Sequence, residues 1–150
     1  MEIYKMKKYK LGYTQGAFDM FHIGHLNLLK NAKTQCDKLI VGVNTDNLIC
    51  KYKNKHTVIK QIDRAEIIKA IRYVDDVILV DTLDKLELWQ DIQFDAIFIG
   101  DDWKGNERWQ NTEKVLSEKG ADVVYLTYTH GISSTMLRDQ SDEKISDNNE

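Results

Sequence analysis

The chain has 150 residues, of which 42% are hydrophobic and 30% charged, with a formal net charge of −3; this size and balance fit one soluble globular domain with a sizeable core. The mild acidity argues against a nucleic-acid binder, which normally carries a basic stripe, and no apolar run is long enough to span a bilayer. Two cysteines and an N-terminus without the apolar core of a secretory leader fit a reducing compartment, so a cytoplasmic protein with no membrane or nucleic-acid partner is expected.

Proline is absent, so element ends are read from Gly, Asp and Asn. Lys5, Lys7, Lys8 and Lys10 form a solvated lead-in to a strand over residues 10–14. The stretch Gly16-Ala17-Phe18-Asp19-Met20-Phe21-His22-Ile23-Gly24-His25 follows, and Leu26, Leu29 and Ala32 come next at helical spacing, so this stretch lies where a strand becomes a helix. A helix start offers unpaired N–H groups and the positive end of the macrodipole, which together suit an anion. His22 and His25 stand about 60° apart around the helix axis and can share a pocket. A zinc site would need further ligands, and Cys36, Cys50, His56 and His130 show no paired metal spacing, so no protein metal site is expected.

Residues 38–43 are a continuous apolar run, the mark of a strand covered on both faces, closed by Asn44, Thr45 and Asp46. Residues 48–61 carry Lys51, Lys53, Lys55 and Lys60 around Tyr52 and His56 with weak periodicity, which predicts a mobile basic loop containing Cys50. Such a charge run is ordinarily just solvated. Here it follows the C-terminal end of the second strand, where ligands of a parallel sheet collect, and can fold over a polyphosphate. Ile62, Ala65, Ile68 and Ile71, with Ile67 beside them, predict an amphipathic helix whose buried stripe leaves Arg64 and Arg72 outside.

Residues 77–80 form a third apolar run, and Leu83, Leu86 and Trp89 or Gln90 mark a short helix in which Trp89 is a packing residue. Residues 94–99 are the fourth strand, ending at Gly100-Asp101-Asp102-Trp103, where paired carboxylates could cap a turn, hold a metal or bind a polar ligand edge. Trp109, Thr112 and Leu116 give a helical stripe closed by Gly120, and residues 122–126 are the fifth strand. Beyond it Gly131, Ser133, Ser134 and Thr135 place several hydroxyls at a helix start, more than a cap requires. Residues 1–140 therefore read as one domain and 141–150 as a polar, disordered tail. Five strands alternating with helices imply an α/β fold with a parallel sheet covered on both faces.

Four tracts carry a family resemblance. Residues 16–25 resemble G-T-F-D-x-x-H-x-G-H, the signature of the nucleotidyltransferase superfamily, with Ala17 in place of a Thr hydroxyl. Arg72-Tyr73-Val74-Asp75 and Gly100-Asp101-Asp102-Trp103 are similar to the R-Y-V-D and G-D-D-W motifs of cytidylyltransferases. Residues 128–135 resemble R-T-E-G-I-S-T-T, with Tyr128 where the arginine stands and His130 where the glutamate stands. The resemblance is greatest to the glycerol-phosphate cytidylyltransferases, which make CDP-glycerol for teichoic-acid or capsule-like polymers.

The resemblance implies a Rossmann-like five-stranded sheet of order 3-2-1-4-5, CTP with Mg²⁺ as cofactor, a small phosphorylated alcohol as acceptor, and a homodimer. It implies catalytic roles for His22, His25, Lys53 and Lys55. The nucleotide would meet Gly16, Ala17, Phe18, Arg72, Gly100, Asp102, Trp103, Thr129, Gly131, Ile132, Ser133 and Ser134, with Arg64 a further candidate. Asp102 would accept a hydrogen bond from the cytosine amine, which uracil cannot donate. Two alternatives stay open at this point: an ATP-dependent adenylyltransferase acting on another phosphorylated acceptor, and a nucleotide-binding domain without turnover.

Overall fold

A computed structural model describes residues 7–101 and 104–127. The chain runs β1 (Tyr9–Gly16), α1 (Ile23–Lys33), β2 (Cys36–Asn44), α2 (Asp46–Lys53), α3 (Gln61–Lys69), β3 (Asp76–Val80), α4 (Lys85–Ile92), β4 (Ala96–Gly100), α5 (Glu107–Glu118) and β5 (Asp122–Leu126). All neighbouring strands pair in parallel, in the order β3-β2-β1-β4-β5 that the family resemblance implies.

Successive strand residues point to opposite faces, so the apolar runs build two cores. Leu39, Val41 and Val43 of β2 join Leu29 and Ile68 from the helices in one core. Tyr13, Ile97 and Phe94 meet Leu88 and Leu116 in the other, where the Tyr13 and Phe94 rings stack at 5.3 Å. Gly42 is required there, because a Cβ at this position would lie 2.2 Å from the Tyr13 hydroxyl.

The sheet opens at its centre. β1 pairs with β2 along its whole length, from Tyr9 opposite Cys36 to Gly16 opposite Val43. Its pairing with β4 is confined to Gly12–Ala96 and Tyr13–Ile97. The buried Thr14 hydroxyl then donates to the Phe98 carbonyl at 2.8 Å, a side-chain bond in place of a further ladder rung. Connections leave β1 and β4 in opposite directions, so a crevice forms beyond their C-terminal ends, the usual ligand position of a doubly wound sheet.

Two local expectations are corrected. Residues 48–61 are not all loop, since α2 occupies the first part and includes Cys50; both cysteines are free thiols. Thr45 caps α2 by accepting from the Leu48 amide at 3.1 Å, Leu48 and Ile49 are its buried residues, and Asn54 ends it with φ of 52°. Two apolar residues suffice to seat so short a helix, which is why its periodicity is weak. In α3 the predicted stripe is buried only in part: Ile68 is buried and Ile71 beyond the helix packs on the core, but Ile62 is 63% and Ile67 39% exposed, and Arg64, expected outside the stripe, is buried one turn before Ile68. A guanidinium can outcompete isoleucine for an interior position when its donors are satisfied.

Candidate active site

The loop after β1 is built tightly. A Cβ on Gly16 would come within 3.2 Å of the Phe18 ring, and Phe18 and Met20 both adopt left-handed backbone, with φ of 52° and 49°. Each such residue stores about 1–3 kcal/mol of strain. Phe18 is buried against the core, and its ring meets His25 edge-on at 5.4 Å. Phe21 closes on the same imidazole at 5.4 Å.

His22 is the N-cap of α1, and its Nδ1 accepts from the Gly24 amide at 3.0 Å. His25 reaches back, its Nδ1 accepting from the His22 amide at 3.2 Å. The rings stack with centroids 3.8 Å apart. Because both Nδ1 atoms are acceptors, each neutral ring carries its proton on Nε2. His22 Nε2 is buried with no hydrogen-bond partner among the described residues, and both histidines line the crevice. The arrangement therefore offers a group that could donate to a ligand oxygen.

Burial, the adjacent His22 and, in the opposite direction, Asp19 set the His25 pKa, which falls to about 4. Burial also lowers that of His22. At neutral pH the pair consists of uncharged hydrogen-bond donors.

Arg64, 1% exposed, ties the loops around this pair together. Its Nε donates to Ile59 O at 2.8 Å, Nη1 to Ala17 O at 2.7 Å and Asn44 O at 2.8 Å, and Nη2 to Asp46 Oδ1 at 2.6 Å. Asp19 makes a second tie, its carboxylate accepting from the Val58 and Ile59 amides at 2.8 and 2.9 Å. Asp46 adds the Thr57 hydroxyl and the Gln61 amide. Burial would raise the Asp46 carboxyl, but these bonds and the Arg64 charge outweigh it and hold its pKa below the usual range. Val58 and Ile59 are thus fixed to the histidine loop and Thr57 to the start of α2, and the lysine segment spans the gap from the end of α2 to that anchor.

The crevice has two lobes that share Gln15, Gly16, Ala17, His25, Leu28 and Lys53. The smaller, about 260 Å³, adds Phe18, Asp19, Lys55, His56 and Thr57 among others. The larger, about 600 Å³, takes in His22, Gly100 and the facing ends of β4, α4 and α5. The structure so brings together His22, His25, Lys53, Lys55, Gly16, Ala17, Phe18 and Gly100. Arg72 lies elsewhere: it is exposed beyond α3, its guanidinium over the Tyr73 ring at 5.6 Å, and it lines neither lobe. Asp102, Trp103, Thr129, Gly131, Ile132, Ser133 and Ser134, with Tyr128 and His130, fall outside the described residues.

Arg64 was a candidate nucleotide ligand from the sequence, and its donors are instead committed to the protein. The ties made by Asp19 and Asp46 gave no sequence signal beyond their places in or beside a motif, because their partners are backbone amides and a distant arginine. Among the described residues no three His, Cys, Asp or Glu side chains are grouped to hold a metal. No described helix is long and apolar enough to cross a membrane.

A doubly wound parallel sheet with paired imidazoles at the first helix start and lysines over the same crevice presents donors and cations suited to a phosphate-bearing ligand. Residues 13–140 match the model of the family described as cytidylyltransferase-like, and the chain belongs to that family. It is 35% identical to the glycerol-3-phosphate cytidylyltransferase of Bacillus subtilis, over 85% of this chain and 93% of that protein. It is 36% identical to the bifunctional protein HldE of Caulobacter vibrioides over 91% of this chain, and spans about a quarter of that relative's length, 28%. The lipopolysaccharide core biosynthesis protein of Thermoplasma volcanium superposes with a TM-score of 0.67 at 25% identity, covering 81% of this chain and 97% of that one.

Proposed function

We propose that the chain is a CTP-dependent cytidylyltransferase that joins CTP to a small phosphorylated alcohol, glycerol phosphate first among them, giving a CDP-alcohol and pyrophosphate. The observation that carries this reading is the stacked His22–His25 pair, with its Nδ1 atoms occupied by backbone amides and a buried Nε2 that has no partner among the described residues. The match to a glycerol-3-phosphate cytidylyltransferase over nearly that protein's full length supports the choice of nucleotide and acceptor.

In this reaction an acceptor phosphate oxygen attacks the α-phosphorus, the bond to the bridging oxygen breaks, and its electron pair leaves on pyrophosphate. The protein forms no covalent bond; it holds the two phosphates in line and stabilises the charge that develops between them. The imidazole N–H groups serve the α-phosphate, and Lys53 and Lys55 serve the departing pyrophosphate in the smaller lobe. Mg²⁺ enters as part of the MgCTP substrate, coordinated mainly by phosphate and water as this ion prefers. Asp102 reads the cytosine amine, and Thr129, Gly131, Ile132, Ser133 and Ser134 hold the triphosphate, roles supported by their motifs. Arg72, which the motif implies as a nucleotide ligand, lies outside both lobes and is given no role in this reading.

The setting is cytoplasmic, the product a precursor of a surface polymer such as teichoic acid or capsule, and the working unit a homodimer, to which the exposed Val58 and Ile62 side chains would be suited. The test is incubation with Mg²⁺, CTP or ATP, and a panel of phosphorylated alcohols, read by pyrophosphate release and product mass. A CMP adduct of a polyol phosphate is expected. Preference for ATP would overturn the base assignment, and absence of pyrophosphate with every pair would leave a binding domain without turnover.

A further inference from the structure

The larger lobe includes a wall that the reaction described above does not use. It is made by Leu83 and Lys85 at the start of α4 and by Arg108 and Trp109 in the first turn of α5. The α5 amides are already capped, since Asn106 Oδ1 accepts from the Arg108 and Trp109 N–H groups at 3.0 and 3.4 Å. What this wall presents is therefore side-chain chemistry. The Lys85 ammonium donates to Leu83 O at 3.1 Å and stands 5.8 Å from the centre of the Trp109 ring.

Burial first, and then the neighbouring Arg108 charge, bring the Lys85 pKa down to about 8, with Asp84 opposing. Asp84 offsets part of this charge but is not ion-paired with Lys85, and its Oδ1 accepts from the Leu86 and Glu87 amides. Glu87 accepts from the Thr82 hydroxyl at 3.4 Å. Among the described residues the ion pairs are Lys33–Asp75 and Arg64–Asp46, so neither Lys85 nor Arg108 is in one. A partly buried Lys85 beside an exposed Arg108 makes a cationic corner whose two charges repel each other, favour an anion between them and disfavour a third cation.

We infer that Arg108 is a specificity-determining residue of the crevice: with Lys85 and Trp109 beside it, it receives the anionic group of the acceptor and turns away acceptors that carry a positive charge. Polyol and sugar phosphates are accepted, and amino-alcohol phosphates are rejected. The inference deepens the transferase reading above and rests on it for the word acceptor, but the corner can be tested by binding alone.

The Trp109 indole N–H, assigned by comparison with Trp109→Phe, is followed by NMR while inorganic phosphate, glycerol phosphate or phosphoethanolamine is titrated into the full chain. Inorganic phosphate and glycerol phosphate should give saturable shifts, and phosphoethanolamine should bind about tenfold or more weaker than glycerol phosphate, by the loss expected when like charges meet. In Arg108→Gln, an exposed position that should leave the fold intact, glycerol phosphate should weaken by about 10–100-fold, the loss of a charge-assisted hydrogen bond. Arg108→Lys should restore most of it, and the gap to phosphoethanolamine should narrow in Arg108→Gln. The CTP KM of Arg108→Gln should not change. No indole shift with phosphate, equal binding of phosphoethanolamine and glycerol phosphate, or a change confined to CTP would each overturn the inference. Shifts as expected without turnover of any nucleotide and acceptor pair would support the anion corner and overturn the transferase reading instead.

Discussion

Replacing Arg64 with Met removes the one side chain that joins the histidine loop, the end of β2, the start of α2 and the lysine segment. Four hydrogen bonds go, and Ala17 O, Asn44 O, Ile59 O and one Asp46 oxygen lose a donor. Breaking a fully buried charge pair by removing one partner costs about 3–5 kcal/mol; because the Asp46 side chain is 39% exposed, the lower end, about 3 kcal/mol, is expected here. Summing the bonds at about 1.5–3 kcal/mol each would overshoot, because Asp46 keeps its other donors and the loops relax. At about 2–4 °C per kcal/mol for a domain of this size, the melting temperature should fall by roughly 6–12 °C. Thermal and urea unfolding of Arg64→Met, with Arg64→Lys beside it, measures this. Lysine keeps the charge but cannot span four acceptors, so it should recover less than half. A loss under about 1 kcal/mol would refute the structural role. Loss of nucleotide binding with stability intact would show that Arg64 is a ligand after all.

The remaining expectations concern the site itself. His25 should titrate near pH 4 by NMR instead of 6.5; the unfolded chain then binds a proton that the folded one refuses, so stability declines as pH falls from about 6.5 to 4, by up to about 3 kcal/mol, and is unaffected by this residue above that window. A His25 pKa of 6 or more would contradict the packing of Phe18, Phe21 and His22 around it. His22→Ala and His25→Ala should each lower kcat by about 10²–10³-fold, as for loss of a preorganised donor, with CTP binding changed far less. Full turnover in either folded variant removes the imidazoles from the mechanism. Lys53→Ala and Lys55→Ala should raise the KM for CTP and leave stability unchanged, because both side chains are exposed; an equal effect of both on the acceptor KM alone would reassign them. Asp19→Asn replaces one of two amide acceptors with a donor and should destabilise by about 1.5–3 kcal/mol in a denaturant titration, with wild-type stability as the contrary result.

Much of this molecule is written in local pattern. The apolar runs at β2, β3 and β5 and the strand-to-helix junction at Gly16–His25 are readable because covered strands and helix starts leave short-range periodicity and composition behind them. The spacing of His22 and His25 places them together without knowledge of anything else in the chain. The strand order came from resemblance to a family and agrees with the sheet.

Tertiary structure decided what pattern could not hold. Whether Arg64 or Ile62 faces inward depends on four acceptors, three of them in the distant residues Ala17, Asn44 and Asp46, and no window along α3 contains those three. The anchoring of Val58 and Ile59 by Asp19 pairs a carboxylate with amides about forty residues away, and amides have no sequence identity to read. Lys85 meets Trp109 only because α4 and α5 pack side by side at the same end of the sheet. Hydrophobic pattern records which residues leave water, but the choice of polar partner is made in three dimensions, where desolvated donors and acceptors must find one another.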